Sequence, residues 1–208
     1  NYLSHNIMGD IVAGKDSEIT IGGKGNFVGA ANGANAIEVL AANGGKVDLG
    51  LQDGVLIGRV DDYYQVKDAN TSNDMGLVDT AFRNNKLYTD ISTSGEITLN
   101  MNENSTWYNI GQSYVSNVNL NGGTIDLGQD KGSSVNIGKL SGTGTFNMYL
   151  NSAVIDSDDY VASDMLYIQD VDLSNDTDGK FTVNAVGKDV LTYLDYGDKL
   201  RFATVGGE

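Results

Sequence analysis

The stretch Asn43-Gly-Gly-Lys-Val-Asp-Leu-Gly50 returns almost unchanged as Asn121-Gly-Gly-Thr-Ile-Asp-Leu-Gly128. In each copy Asn-Gly-Gly is a turn, because Gly takes positive φ at no steric cost and Asn does so nearly as readily. Val47 and Leu49 then alternate with Lys46 and Asp48, and Ile125 and Leu127 alternate with Thr124 and Asp126. Period two means a short strand with one buried face. Looser copies follow at Gly95-Glu-Ile-Thr-Leu, Gly144-Thr-Phe-Asn-Met, Asp164-Met-Leu-Tyr-Ile, Gly179-Lys-Phe-Thr-Val and Asp198-Lys-Leu-Arg-Phe. A spacing of 21 residues separates Gly123 from Gly144, and again Gly144 from Met165. Other short strands are expected between them, at 107–110, 118–120 and 135–137.

A turn-strand unit recurring about every twenty residues, with about three short strands per period, is the signature of a stacked solenoid. The expected architecture is therefore all-β, a parallel β-helix with one repeat per coil. A sandwich or an up-and-down barrel shares the same local signals and stays open as the alternative. With about 21 residues per coil, eight coils would make a rod about 40 Å long.

Composition narrows the functions. Net charge is −15, from 28 acidic and 13 basic side chains. Such a chain lacks the basic face that displaces counterions from phosphates, so nucleic acid and anionic membrane surfaces are excluded as partners. Most of the acid is Asp, and Gly numbers 27, which suits strands joined by polar turns rather than helices. There is no Cys, hence no disulfide, thiol chemistry or thiolate metal site, and no Pro to interrupt a backbone ladder. No apolar run approaches the length of a membrane-spanning helix. The absence of a start methionine, and of a polar cap after Phe202, leads us to expect a fragment or processed product of a longer chain.

Residues 58–94 break the rhythm. They contain acids, a tyrosine pair and a short helical pattern near 74–82, and are expected to form an irregular, protruding insertion, whereas 95–208 return to regular coils. Insertions on one face of a solenoid often carry binding. Asp61, Asp62, Tyr63 and Tyr64 are accordingly the candidate binding residues: carboxylates beside aromatic rings that recognise a partner at low entropic cost. The alternative is a solvated loop that only covers the core.

Other chemistry fares less well. The one histidine, His5, lies near the first residue with no nucleophile motif beside it. The carboxylate pairs Asp61-Asp62 and Asp158-Asp159, and the cluster Asp170, Asp172, Asp176 and Asp178, invite comparison with polysaccharide hydrolases. Adjacent residues on a strand point to opposite faces, however, and a hydrolase needs two carboxyls facing each other across a bond. Ser174–Gly179 opens like a calcium loop but places Ala185 where the bidentate Glu belongs. The expectation is no catalytic set, no metal and no cofactor.

Two later stretches carry a family resemblance. Residues 140–148 (LSGTGTFNM), followed by 163–168 (SDMLYI), resemble the C-terminal passenger region of Gram-negative autotransporters of the pertactin-like and AIDA-like group. Residues 105–127 are similar to the coil that precedes that motif, and residues 43–63 to middle coils. The resemblance implies a right-handed β-helix and type V secretion through a C-terminal outer-membrane β-barrel in the full-length protein. It also implies display at the cell surface, with residues 95–208 as the autochaperone or junction region. The implied function is that of an adhesin binding a host or bacterial receptor, a glycan or another copy of itself, as in aggregation, biofilm formation or virulence. The alternatives are the stalk of an enzyme-bearing passenger and a β-helix polysaccharide lyase or hydrolase.

Overall fold

The structure, a computed structural model, describes residues 5–28, 37–62, 94–127, 133–155, 160–174, 180–186 and 199–206. Among them every regular element is a β-strand. The chain folds as a parallel β-helix whose coils each run through three sheet faces, here A, B and C.

Face A stacks β1 (His5–Met8), the second half of β3 (Glu18–Val28), the end of β5 (Lys46–Ile57), β8 (Thr106–Tyr108), β10 (Thr124–Asp126), the start of β12 (Thr145–Ile155) and β15 (Thr182–Val186). Face B stacks β2 (Ile11–Gly14), β4 (Ile37–Ala42), β6 (Arg59–Asp61), and the first halves of β9 (Gln112–Asn119), β11 (Ser134–Ser141) and β14 (Met165–Asp172), ending on β17 (Ala203–Val205). Face C stacks the first halves of β3 and β5, then β7 (Glu96–Met101) and the second halves of β9, β11 and β14. All of these ladders are parallel. Seven described strands on face A give a rod about 29 Å long at ~4.8 Å per coil, shorter than eight coils would make it.

Register aligns like with like inside the rod. On face A the inward column reads Ile7, Phe27, Leu56, Trp107, Ile125, Phe146, Val183. On face C it reads Ile21, Leu49, Leu99, Val118, Leu140, Val171. Trp107, Leu56, Leu99, Val118, Ile125 and Leu140 are fully buried in one continuous core. The Trp107 indole N–H donates to the Gly58 carbonyl at 3.0 Å, so its one polar atom is satisfied.

The recurring glycines have a steric cause. A Cβ at Gly45 would lie 2.4 Å from the Ala13 carbonyl oxygen, and one at Gly144 2.4 Å from that of Gly123. At these corners successive coils touch backbone to backbone, and only Gly fits.

Several sequence expectations need correcting. The near-identical copies at 43–50 and 121–128 are not equivalent: Val47 lies on face C and Ile125 on face A. Met165 does not continue the column of Gly144. It pairs with Ser134 on face B, and the true successor of Thr145 is Thr182. Lys199–Leu200, β16, lies outside the coils. It pairs with β13 (Tyr160–Ser163), which itself runs antiparallel to the far half of β12. The 95–208 stretch therefore carries an excursion of its own. Residues 58–62 belong to the coil rather than to an insertion, since Arg59–Asp61 form β6. The helical pattern at 74–82 lies outside the described residues.

Candidate functional site

Asp61 and Asp62 do not form a surface site. Their exposures are 1% and 0%. Asp61 sits 3.7 Å from the Arg59 guanidinium, itself buried. The Asp62 carboxylate accepts from the backbone N–H of Ile97 at 3.0 Å, the N–H of Ser116 at 2.5 Å and the Ser116 hydroxyl at 2.7 Å. Asp62 sits at the corner where β6 meets β7, with the Gly95 N–H donating to its carbonyl at 2.9 Å. Its carboxylate serves backbone donors of β7 and β9 there as a carbonyl would. The same device recurs where the chain returns from β13: buried Asp164 accepts from the N–H groups of Ser133 at 3.1 Å and Tyr149 at 2.7 Å. Buried acids here close interrupted ladders and are not free to bind a partner. Tyr63 and Tyr64, and the pair Asp158-Asp159, lie outside the described residues.

What faces solvent is a set of polar columns along the rod. On face C, Asn100 donates to Asp48 at 2.8 Å, Asn119 donates to Asn100, and Ser141 donates to Asn119. On face A, Asn147 donates to Asp126 at 3.0 Å and Asn184 to Asn147 at 3.1 Å, beside a threonine column of Thr106, Thr124, Thr145 and Thr182. Asn100, Asn119 and Asn147 each bond to the coils on both sides, donating to one and accepting from the other, which ties the columns together and leaves part of each amide's capacity for solvent.

Ionic contacts join coils as well. Lys139 lies 2.9 Å from Asp172. That hydrogen bond, with those from Ser174, holds the Asp172 carboxyl well below the usual carboxylate range and raises the Lys139 ammonium. Asp53, at a corner with φ of 51°, takes a hydrogen bond from Lys24 and others from Asn102 and Asn104 at 3.0 Å. Together they bring its carboxyl down to about 2.

An open groove of about 430 Å³ lies along the corner between faces B and C, lined by Gly95, Ser116 and Gly138 with Glu96, Asn117, Lys139, Gln169 and Asp170. Small corner residues in successive coils leave the hollow, and the first outward residues of face C stand along it. Sequence reading missed it because Asn117, Lys139 and Asp170 are neighbours only through coil register. A smaller hollow of about 150 Å³ on face C shares Glu96 with it. Among the described residues no group of three or more His, Cys, Asp or Glu is placed to hold a metal ion.

No family model, no curated protein and no solved structure matches this chain.

Proposed function

We propose that this chain is an adhesive rod: part of a surface-displayed autotransporter passenger that binds another cell or surface through the outside of its coils. One observation carries the reading. Solvent-facing positions on two faces form axial columns of Asn, Thr, Ser and Asp repeated coil after coil, while Asp62, a candidate binding residue by sequence, is buried and serves backbone donors. A repeated polar surface on a rigid support offers many weak, simultaneous contacts, and these add through effective concentration. The resemblance of residues 105–127 and 140–168 to autotransporter passengers supports the same reading. In it the partner is a host or bacterial receptor, a glycan or another copy of the chain.

The test is to coat beads with the native chain and with chain unfolded in urea and left unfolded. The expected result is clumping of the native beads or their adhesion to epithelial cells or bacteria, without turnover of polysaccharide. Equal behaviour of both coats contradicts the reading, as does release of reducing sugar from polysaccharide by the native chain.

A further inference from the structure

We infer that the groove at the B–C corner is a binding site for a neutral, linear glycan lying parallel to the rod axis. The inference rests on the adhesive reading for its biological role, and on the chemistry of the groove for its ligand.

The lining contains two carboxylates, two carboxamides, a hydroxyl and one ammonium, and no apolar side chain. That composition argues against a peptide, whose docking draws on apolar pockets or an unpaired strand edge. Asn117 and Lys139 belong to strands paired on both sides, and the groove runs across the strands rather than along one of them. A sulfated or carboxylated polymer is disfavoured. The ammonium of Lys139 is engaged with Asp172, and although Glu96 pairs with Lys46 at 3.4 Å at one end, Asp170 puts negative charge at the other within a chain of net charge −15.

What remains is a ligand rich in hydroxyl groups. Carboxylates accept from hydroxyls, and carboxamides both donate and accept, so the lining offers the mixed set that sugar hydroxyls require. The Asn117 amide makes only long contacts with its neighbours, 3.4 Å to Glu96 and 3.3 Å to Thr98, and so can turn to a ligand at little cost. Geometry points the same way. The groove crosses four coils, so polar groups recur at ~4.8 Å over about 14 Å. That spacing is comparable to the length of one pyranose ring along a linear chain, so successive rings meet a polar side chain in step with the coils.

The experiment is a titration of the ¹⁵N-labelled 208-residue chain, followed by its amide resonances. The probes are cellohexaose, laminarihexaose, maltohexaose and chitohexaose, with a heparin hexasaccharide as the charged control. At least one neutral probe is expected to shift the amides of residues 95–96, 116–117, 138–139 and 169–170, unaffected by added salt. Asn117→Trp, which fills the groove from an outward position, and the pair Gln169→Ala with Asp170→Ala should each weaken that binding by about tenfold or more. Circular dichroism melts check that each variant remains folded. Binding of none of the neutral probes at millimolar concentration overturns the inference. So does preference for heparin, or a set of shifted amides elsewhere on the rod. The two readings fail separately. Bead clumping without neutral-glycan binding removes the groove site alone, whereas groove binding with inert beads removes the adhesive role alone.

Discussion

At the scale of the residue, the decisive side chains are the buried aspartates. Asp62 serves donors from strands that lie 35 and 54 residues away in sequence. Removing its carboxylate leaves those N–H groups buried with no acceptor. Asp62→Ala is therefore expected to cost about 3 kcal/mol in urea unfolding, whereas Asp48→Ala, at an exposed position on face C, should cost under about 0.5 kcal/mol. Equal effects would contradict the structural role. Asp53 gives a second test. Its carboxyl is held at about 2, so its folded pKa is depressed relative to the unfolded chain. The corner contact with Lys24 contributes fully above the ordinary Asp value of about 4 and is lost as pH falls toward about 2. Carboxyl ¹³C titration should find the Asp53 midpoint near 2, and Lys24→Ala should move it upward. A midpoint near 4 in the native chain excludes the contact. None of this is legible in sequence. Asp61-Asp62 reads as a surface pair because its partners are brought to it only by the winding of the coil.

At the scale of the element, local signals were read well and their placement poorly. Period two in Gly95-Glu-Ile-Thr-Leu marks a turn and a strand, and the structure has that strand as Glu96–Met101 behind a glycine corner. The corners between faces B and C and between C and A, however, impose the same demand: a Gly where backbones touch, then alternation. The copies at 43–50 and 121–128 look identical for that reason, yet occupy different faces. The Met165 strand was misplaced because the β12–β13 excursion lengthens one coil, so a spacing of 21 residues meets another face by coincidence. Gly144→Ala tests the corner directly. The added methyl would meet the Gly123 carbonyl oxygen at 2.4 Å, and the expected loss is about 2 kcal/mol in chemical denaturation. Trp107→Ala, in the middle of the face A column, should cost about 3–5 kcal/mol. A loss under about 1 kcal/mol at either position would contradict the packing described.

At the scale of the whole molecule, the rod is one core wound through all three faces, with acids buried against backbone donors inside and polar columns outside. Composition and periodicity were enough to reach the parallel β-helix, because a chain rich in Gly and Asp, with no Pro and short alternating runs, has few other ways to bury its apolar residues. The recognition surface was not legible, because a groove built from Gly95, Ser116 and Gly138 exists only once the coils are stacked. The account places recognition on the coils. The most direct measurement compares bead clumping and cell adhesion for three chains. These are the native chain, one with residues 63–93 replaced by a short Gly-Ser turn so that Asp62 is kept, and one carrying Asn117→Arg with Asp170→Arg on the outside of face C. The account predicts that adhesion survives the first change and is lost with the second, with the β circular dichroism of both intact. Adhesion that disappears when residues 63–93 are replaced, and persists in the face C variant, would contradict it and move recognition into that segment.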